Sequence, residues 1–360
     1  KMIFLKFLIA IFCLISSCFL SVESFNCMNE HGKSVDWWVI MKIPDLNDSP
    51  YPVVQEGQGY MYLDADNTTF SFPNVGLNKN LNGALGSTLA QVYNARSNAA
   101  DVGWLFYNDQ DPSGGSTTSY GHSKGVMGFT STQGFWLVHS VPHFPVGKED
   151  AANYTFPDSA ERNGQSMLCV SFATSSLNAL GDNLLLNKPK VYSSHIGSQV
   201  QVPKLQRVID KDWNKSTGPA GTLMNPVAST GGRLFMTFAK NKEWNSGLYS
   251  DLVAPKLKTS IFVETWMNGS GGKINSTCNT QYKVVDVTYV RSNAYGFEWK
   301  ETKDHSKWAV AVADTQPHYS CIGDINRMES QFKRGGGTVC LLDTPLYKAM
   351  NALVYRYWPC

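Results

Sequence analysis

A chain of 360 residues, 42% hydrophobic and 17% charged, has an ordinary globular composition and enough length for one large domain or two modest lobes. Its 30 Gly, 16 Pro and 12% aromatic residues argue against a helical bundle and for many strands and loops. A formal net charge of +2 with neutral histidines is too small to mark a polyanion binder at neutral pH; in an acidic compartment the seven histidines make the chain cationic, and attraction to a phosphate backbone strengthens.

Residues 1–24 have the layout of a secretory signal peptide: Lys1 and Lys6, the apolar run Phe7 to Leu20, then the polar Ser21 to Ser24, with cleavage expected near Ser24. The run is shorter than the ~20 residues a membrane-crossing helix needs, so no span is expected after cleavage. Loss of this leader lowers the charge to about +1, rising to about +8 with every histidine protonated. It also removes Cys13 and Cys18 and leaves Cys27, Cys169, Cys278, Cys321, Cys340 and Cys360, an even set that favours three disulfides in an exported chain, with the pairing open. No spacing is C-x-x-C, which argues against a zinc ribbon or a thioredoxin-like site, and no metal or cofactor is expected. Sequons at Asn47, Asn67, Asn153, Asn214, Asn268 and Asn275 fit the secretory route and belong on surface loops.

Along the mature chain, Asp36 to Ile43 reads as a buried strand and Gly59 to Asp64 as the next. Leu85, Leu89 and Val92 give Leu85 to Asn94 helical spacing, and the strand Val102 to Tyr107 follows. A Ser/Gly-rich loop leads to Gly121-His122-Ser123-Lys124-Gly125 and to strands Val126 to Phe129 and Gly134 to Val138. The second half repeats this order: a short helix Leu248 to Leu257, a strand Ser260 to Trp266, then Asp304-His305-Ser306-Lys307 running into the strand Trp308 to Ala313. The string His-Ser-Lys thus recurs 183 residues on, each time after a helix and a strand and before another strand. The pattern predicts two similar α/β halves, residues 25–190 and 191–360, dividing in the polar stretch Leu184 to Ser194.

Two imidazoles and two ammonium groups are a complete set for splitting a phosphodiester. One imidazole attacks phosphorus, the other protonates the leaving oxygen, and the cations hold the phosphoryl oxygens. On a strand, residues i and i+2 share a face, so His122 falls with Lys124 and His305 with Lys307. Their convergence on one phosphate is the expected site, with His122 attacking and His305 as general acid. His139, after an apolar strand, reads equally well as a core histidine; His31, His143, His195 and His318 read as structural or surface residues. Gly121 to Gly125 is also a literal G-x-S-x-G, the elbow of serine hydrolases, but that elbow needs a strand before it and a helix after it, whereas a glycine-rich loop precedes and β-type residues follow. Lys333-Arg334-Gly335-Gly336-Gly337 offers cations and flexible amides to a phosphate.

These residues resemble the deoxyribonuclease II family. Tyr107-Asn108-Asp109-Gln110, Gly121 to Gly125, Gly134 to Pro142, Leu168 to Phe172, Asp304 to Trp308, Cys321 to Arg327 and Arg334 to Thr338 carry the likeness in order, across Cys27 to Cys360. One departure is Ala309, where some relatives carry a further cysteine. The resemblance implies an α/β fold similar to phospholipase D, a pseudo-dimer of two halves, each a sheet flanked by helices, with one His-x-Lys pair from each at the seam. It implies a metal-independent acid endonuclease of lysosomes or the extracellular space, acting on DNA through backbone contacts and leaving 3′-phosphate and 5′-hydroxyl ends. By the same likeness His139 is needed for activity, Asn326 lies near the phosphate with Asp324, Arg327 and Arg334 as further substrate-binding candidates, and the disulfides are Cys27 to Cys169, Cys278 to Cys360 and Cys321 to Cys340. A phospholipase D-like lipid phosphodiesterase and a non-catalytic DNA-binding or toxin-like protein are the competing readings, and oligomeric state is left open.

Overall fold

A computed structural model describes residues 25–115, 117–213, 221–312 and 317–360, so the leader and the sequon at Asn214 lie outside the described residues. The run Trp37–Lys42 (β3) shows why the chain makes doubly covered sheets. All six residues are buried, and they alternate between two cores: Trp37, Val39 and Met41 in one, Trp38 and Ile40 in the other. A strand apolar on both faces must lie inside a layered stack.

A short pair, β1 (Cys27–Met28) and β2 (Ser34–Val35), precedes two large sheets. The first has seven antiparallel strands in the order β4 (Tyr60–Asp64), β3, β8 (Gln165–Ala173), β7 (Gln133–His139), β6 (Lys124–Thr130), β5 (Val102–Asn108) and β9 (Val191–Ile196). The second runs β10 (Thr222–Ala228), β11 (Leu234–Lys240), β17 (Gly336–Leu342), β16 (Tyr319–Gly323), β15 (Trp308–Ala311), β12 (Ile261–Glu264), β13 (Val284–Ser292) and β14 (Phe297–Lys300), with β18 (Val354–Tyr357) also on β13. Four central strands recur in the same arrangement, β8-β7-β6-β5 in one sheet and β17-β16-β15-β12 in the other. The stretch Leu184 to Ser194, where the sequence suggests a division, completes the helix Thr174–Asn187 and enters β9, which pairs with β5 in the first sheet.

The two sheets share one core, built from Val39, Met127, Trp136 and Leu168 of the first against Phe235, Val310, Ile322 and Val339 of the second, with Leu177, Leu180 and Leu184 of the helix Thr174–Asn187. The far face of the first sheet is covered by the helix Ala84–Asn94 through Leu85, Leu89 and Val92, a 3.6-residue spacing. The far face of the second is covered by the helical stretch Tyr249–Leu257. The fold is mixed α/β, in layers of helix, sheet, sheet and helix. Among the described residues no helix is long and apolar enough to cross a membrane.

Cys27–Cys169, Cys278–Cys360 and Cys321–Cys340 form disulfides, the pairing that the family resemblance implied. Cys321 and Cys340 are register partners in β16 and β17. Cys27–Cys169 ties the first pair of strands to the middle of β8 across 142 residues of chain. Replacing both with serine is expected to lower the unfolding free energy by about 2–5 kcal/mol. Denaturant midpoints under non-reducing conditions check this; an unchanged midpoint would refute it.

Candidate active site

Lys124 opens β6, and the β5–β6 register sets it opposite Asn108, the last residue of β5. Asp109, one residue further, therefore arrives beside the lysine, and its Oδ1 accepts from Lys124 Nζ at 2.5 Å. Both groups are buried, 2% and 1% exposed, so each needs the other. Arg334 reaches over from the second half: Nη2 donates to Asp109 Oδ2 at 3.0 Å and to the carbonyls of Thr117 and Tyr120, and Nη1 donates to His122 Nδ1 at 3.0 Å. A guanidinium only donates, so Nδ1 is the acceptor and the neutral His122 ring carries its hydrogen on Nε2. Asp109 Oδ2 stands 3.9 Å from the same Nδ1.

The second motif is built differently. Asp304 is fully buried, accepting from Trp299 Nε1 (2.7 Å) and from Ser306 N–H (2.8 Å), and so fixes the backbone on either side of His305. The His305 ring meets the Trp266 indole edge-on, with centroids 4.3 Å apart. No described residue hydrogen-bonds to either of its ring nitrogens. Lys307 is 3% exposed, and its Nζ donates to the His305 carbonyl at 2.6 Å.

Each motif is held by the opposite half. His122 N–H donates to Gly335 O (2.8 Å) just before β17, and His305 N–H donates to Gly164 O (2.9 Å) just before β8. The crossing demands glycine. A Cβ at Gly164 would sit 2.5 Å from Asp304 Oδ1, and one at Gly335 would collide with the Asn187 carbonyl.

Electrostatics places the four groups in one neighbourhood. Burial, then Lys124, pushes the His122 imidazole well below its usual range, with Lys307 adding to the effect and Asp109 opposing it. Burial, then Lys307 and Lys124, lowers His305 to about 3. Burial and Lys124 lower Lys307 to about 7. Although burial disfavours its charge, the Asp109 carboxyl is held well below the carboxylate range by Lys124, His122 and Arg334. His139, the last residue of β7, is fully buried; its Nδ1 accepts from Val141 N–H at 3.2 Å and its Nε2 has no partner among the described residues. Burial, then Lys124, takes it to about 3, and the charge of Lys307 also reaches it.

The remaining sequence candidates divide. Arg334 is in the site. Asp324 is buried, accepts from Gly337 N–H at 2.9 Å, and is pushed up to about 7 by burial. Asn326 Oδ1 is buried without a partner among the described residues. Arg327 is turned elsewhere: Nη1 grips both Asp286 oxygens at 2.6 and 2.7 Å and Nη2 takes Asn275 O and Thr277 Oγ1. Ser123 is fully buried and leads directly into β6, so the helix that a serine-hydrolase elbow requires is missing at this position. Asp109 carries no signal of its own in the sequence and stands out only within the string Tyr107 to Gln110. Among the described residues, no group of three or more His, Cys, Asp or Glu is placed to hold a metal ion.

Histidines held neutral make stability depend on pH. In the unfolded chain such a ring takes its proton near 6.5, whereas in the fold His139 and His305 resist until about 3. Between these values the unfolded state binds more protons, so stability is complete above 6.5 and falls as pH drops toward 3. In urea unfolding between pH 6.5 and 4, His139→Gln is expected to flatten this decline by up to about 1.4 kcal/mol per pH unit. Parallel pH slopes in parent and variant would mean that His139 ionises freely in the fold.

Comparison with known proteins meets the same residues. Residues 26–360 match the family model of deoxyribonuclease II, a span that holds both His-Ser-Lys motifs and all six bonded cysteines. Plancitoxin-1 of Acanthaster planci is 39% identical over 344 residues, 94% of this chain and 93% of its own. Deoxyribonuclease-2-alpha of Mus musculus is 35% identical over 353 residues, 94% of each chain, and cell-death-related nuclease 7 of Caenorhabditis elegans 34% over 343 residues, 93% of this chain and 88% of its own. With these likenesses running the length of the fold, the chain belongs to the deoxyribonuclease II family of nucleases.

Proposed function

We propose that this chain is an acid endodeoxyribonuclease that hydrolyses DNA phosphodiester bonds without a metal, through a phosphohistidine, leaving 3′-phosphate and 5′-hydroxyl ends. The observation that carries this reading is the pair of His-x-Lys motifs, each pinned by its backbone to the opposite half and each lysine acting on the other motif's imidazole. Family membership and the names of the relatives supply DNA as the substrate.

In this scheme His122 Nε2 attacks phosphorus, the P–O5′ bond breaks, and protonated His305 gives its proton to the leaving 5′ oxygen. His305, now neutral, takes a proton from water as that water attacks; the N–P bond breaks and the 3′-phosphate leaves. Lys124 and Lys307 neutralise the non-bridging oxygens. Asp109 favours His122 as attacker, because its carboxylate can accept Nδ1–H and free the lone pair of Nε2; among the described residues no carboxylate lies at ion-pair distance from the His305 ring. This requires Arg334 to release Nδ1 and the ring to shift its hydrogen from Nε2 to Nδ1; a phosphate in the site competes for that guanidinium. His139, Asn326 and the Arg334 side chain complete the proposed phosphate surroundings. Contacts of this kind carry no base information, so cutting is indifferent to sequence.

Acid activity follows from charge. Burial, then the ammonium groups of Lys307 and Lys124, hold His305 near 3. A bound phosphate brings the opposite charge, raises that value and lets an acidic medium supply the proton. The chain is read as exported, acting in lysosomes or outside the cell: it holds three disulfides, and the asparagines of five sequons, Asn47, Asn67, Asn153, Asn268 and Asn275, are exposed for glycosylation.

Plasmid nicking at pH 5 in excess EDTA is the decisive assay. The parent is expected to cut, and His122→Ala and His305→Ala each to lose about 10²–10⁴-fold. Cleavage abolished by EDTA and restored by magnesium, or full activity in either variant, would overturn the proposal.

A further inference from the structure

Two buried lysines outside the His-x-Lys motifs occupy corresponding places in the two sheets. Lys42 ends β3 opposite Gln165, the first residue of β8, and Lys240 ends β11 opposite Gly336, the first residue of β17. Each is 1% exposed. Neither ammonium has a carboxylate at ion-pair distance among the described residues; each is satisfied by main-chain carbonyls instead. Lys42 Nζ donates to Glu161 O and, at 2.7 Å, to Asn163 O. Lys240 Nζ donates to Gln331 O (2.9 Å), Phe332 O (2.9 Å) and Arg334 O (2.6 Å).

The carbonyls chosen explain why such costly groups are buried. The turn gripped by Lys42 ends at Gly164, whose carbonyl receives His305 N–H and whose own N–H donates to Lys303 O at 2.8 Å. The turn gripped by Lys240 ends at Gly335, whose carbonyl receives His122 N–H, and it carries the Arg334 guanidinium that holds His122 Nδ1. The same device thus appears twice: a strand-end lysine, a turn, a glycine carbonyl, and the histidine of the other half.

We propose that Lys42 and Lys240 are positioning residues that act crosswise, Lys42 of the first sheet setting His305 and Lys240 of the second sheet setting His122. The inference rests on the reading of those histidines as the reacting pair. A strand-end lysine whose only task was to fill its own half would not need to engage the one turn that touches the opposite motif. Lys42 also lies close enough for its charge to act on His305.

Backbone amide exchange tests the crossing without reference to activity. In the full chain with ¹⁵N-labelled histidine, Lys42→Met is expected to speed exchange of the His305 amide at least about 10-fold and to leave His122 unchanged. Lys240→Met should do the reverse. In plasmid cleavage at pH 5, each variant should lower kcat by about 10-fold or more with KM within about two-fold, since a shift near 1 Å in a reacting group costs up to about 10²-fold. If a methionine variant does not fold, glutamine at the same position keeps a neutral donor and is read in the same way. Exchange that rises at the histidine of the lysine's own half, at both histidines alike or at neither would overturn the proposal. So would an unchanged kcat. A parent that fails to cut plasmid would strike the functional reading alone, and the exchange data would still decide the crosswise contact.

Discussion

Two main-chain hydrogen bonds, from His122 to Gly335 and from His305 to Gly164, make one site out of two sheets. Side chains on separate sheets meet reproducibly only if the strands carrying them are locked in depth and angle. A side-chain contact leaves rotamer freedom, whereas a backbone bond leaves little. The glycines let the chains come close enough for these bonds. The shared core of Val39, Trp136, Leu168, Ile322 and Val339 brings the sheets face to face, and the glycine crossings set their offset.

The electrostatic consequences follow from that closeness. Lys124, Lys307 and Arg334 all enter a region of very low exposure, with Asp109 as the carboxylate in direct contact with two of them. Three such cations beside Asp109, with the charges of Asp304 and Asp324 also acting on Lys307, would be unstable in an ordinary core. Here the excess positive charge is what a phosphate diester would neutralise, and until one binds it keeps nearby imidazoles unprotonated. Burial, and then that charge, lower both His139 and His305 to about 3. A protein built for acid therefore surrenders some stability in acid, because its unfolded histidines take protons that its folded ones refuse.

Much of this was legible in the residues. Strands β3 to β7 announced themselves as apolar runs between turn residues, the helix over Ala84–Asn94 by its spacing, and the candidate site by the doubled His-Ser-Lys. Other parts depended on distances along the chain that no local pattern encodes. Arg334 reaches His122 across 212 residues, and Asp109 matters only because the β5–β6 register carries it to Lys124. The helix Thr174–Asn187 begins with Thr174, Ser175 and Ser176 and resembles a polar connector until Leu177, Leu180 and Leu184 find the shared core. Lys42 and Lys240, each closing an apolar strand, look like solvated strand ends. Only the turn carbonyls around them show that they are buried. The disulfide partners could not be chosen from six cysteines by spacing, and the family likeness supplied them.

The two halves repeat a strand order but do not repeat their chemistry. One residue past the end of β5 stands Asp109, a carboxylate placed to accept a hydrogen bond from His122 Nδ1–H; two residues past the end of β12 stands Trp266, whose indole packs on His305 and accepts nothing from it. A symmetric pair of imidazoles flanked by a symmetric pair of lysines would have equal proton affinities and no reason to divide the work. A carboxylate beside one ring and an indole beside the other break that equality. The ring near Asp109 gains basicity at Nε2 when Nδ1–H is held, which suits attack on phosphorus. The ring against Trp266 has no such support; in the proposed reaction its proton affinity depends on the negative charge of the bound phosphate, which fits it to the part of general acid.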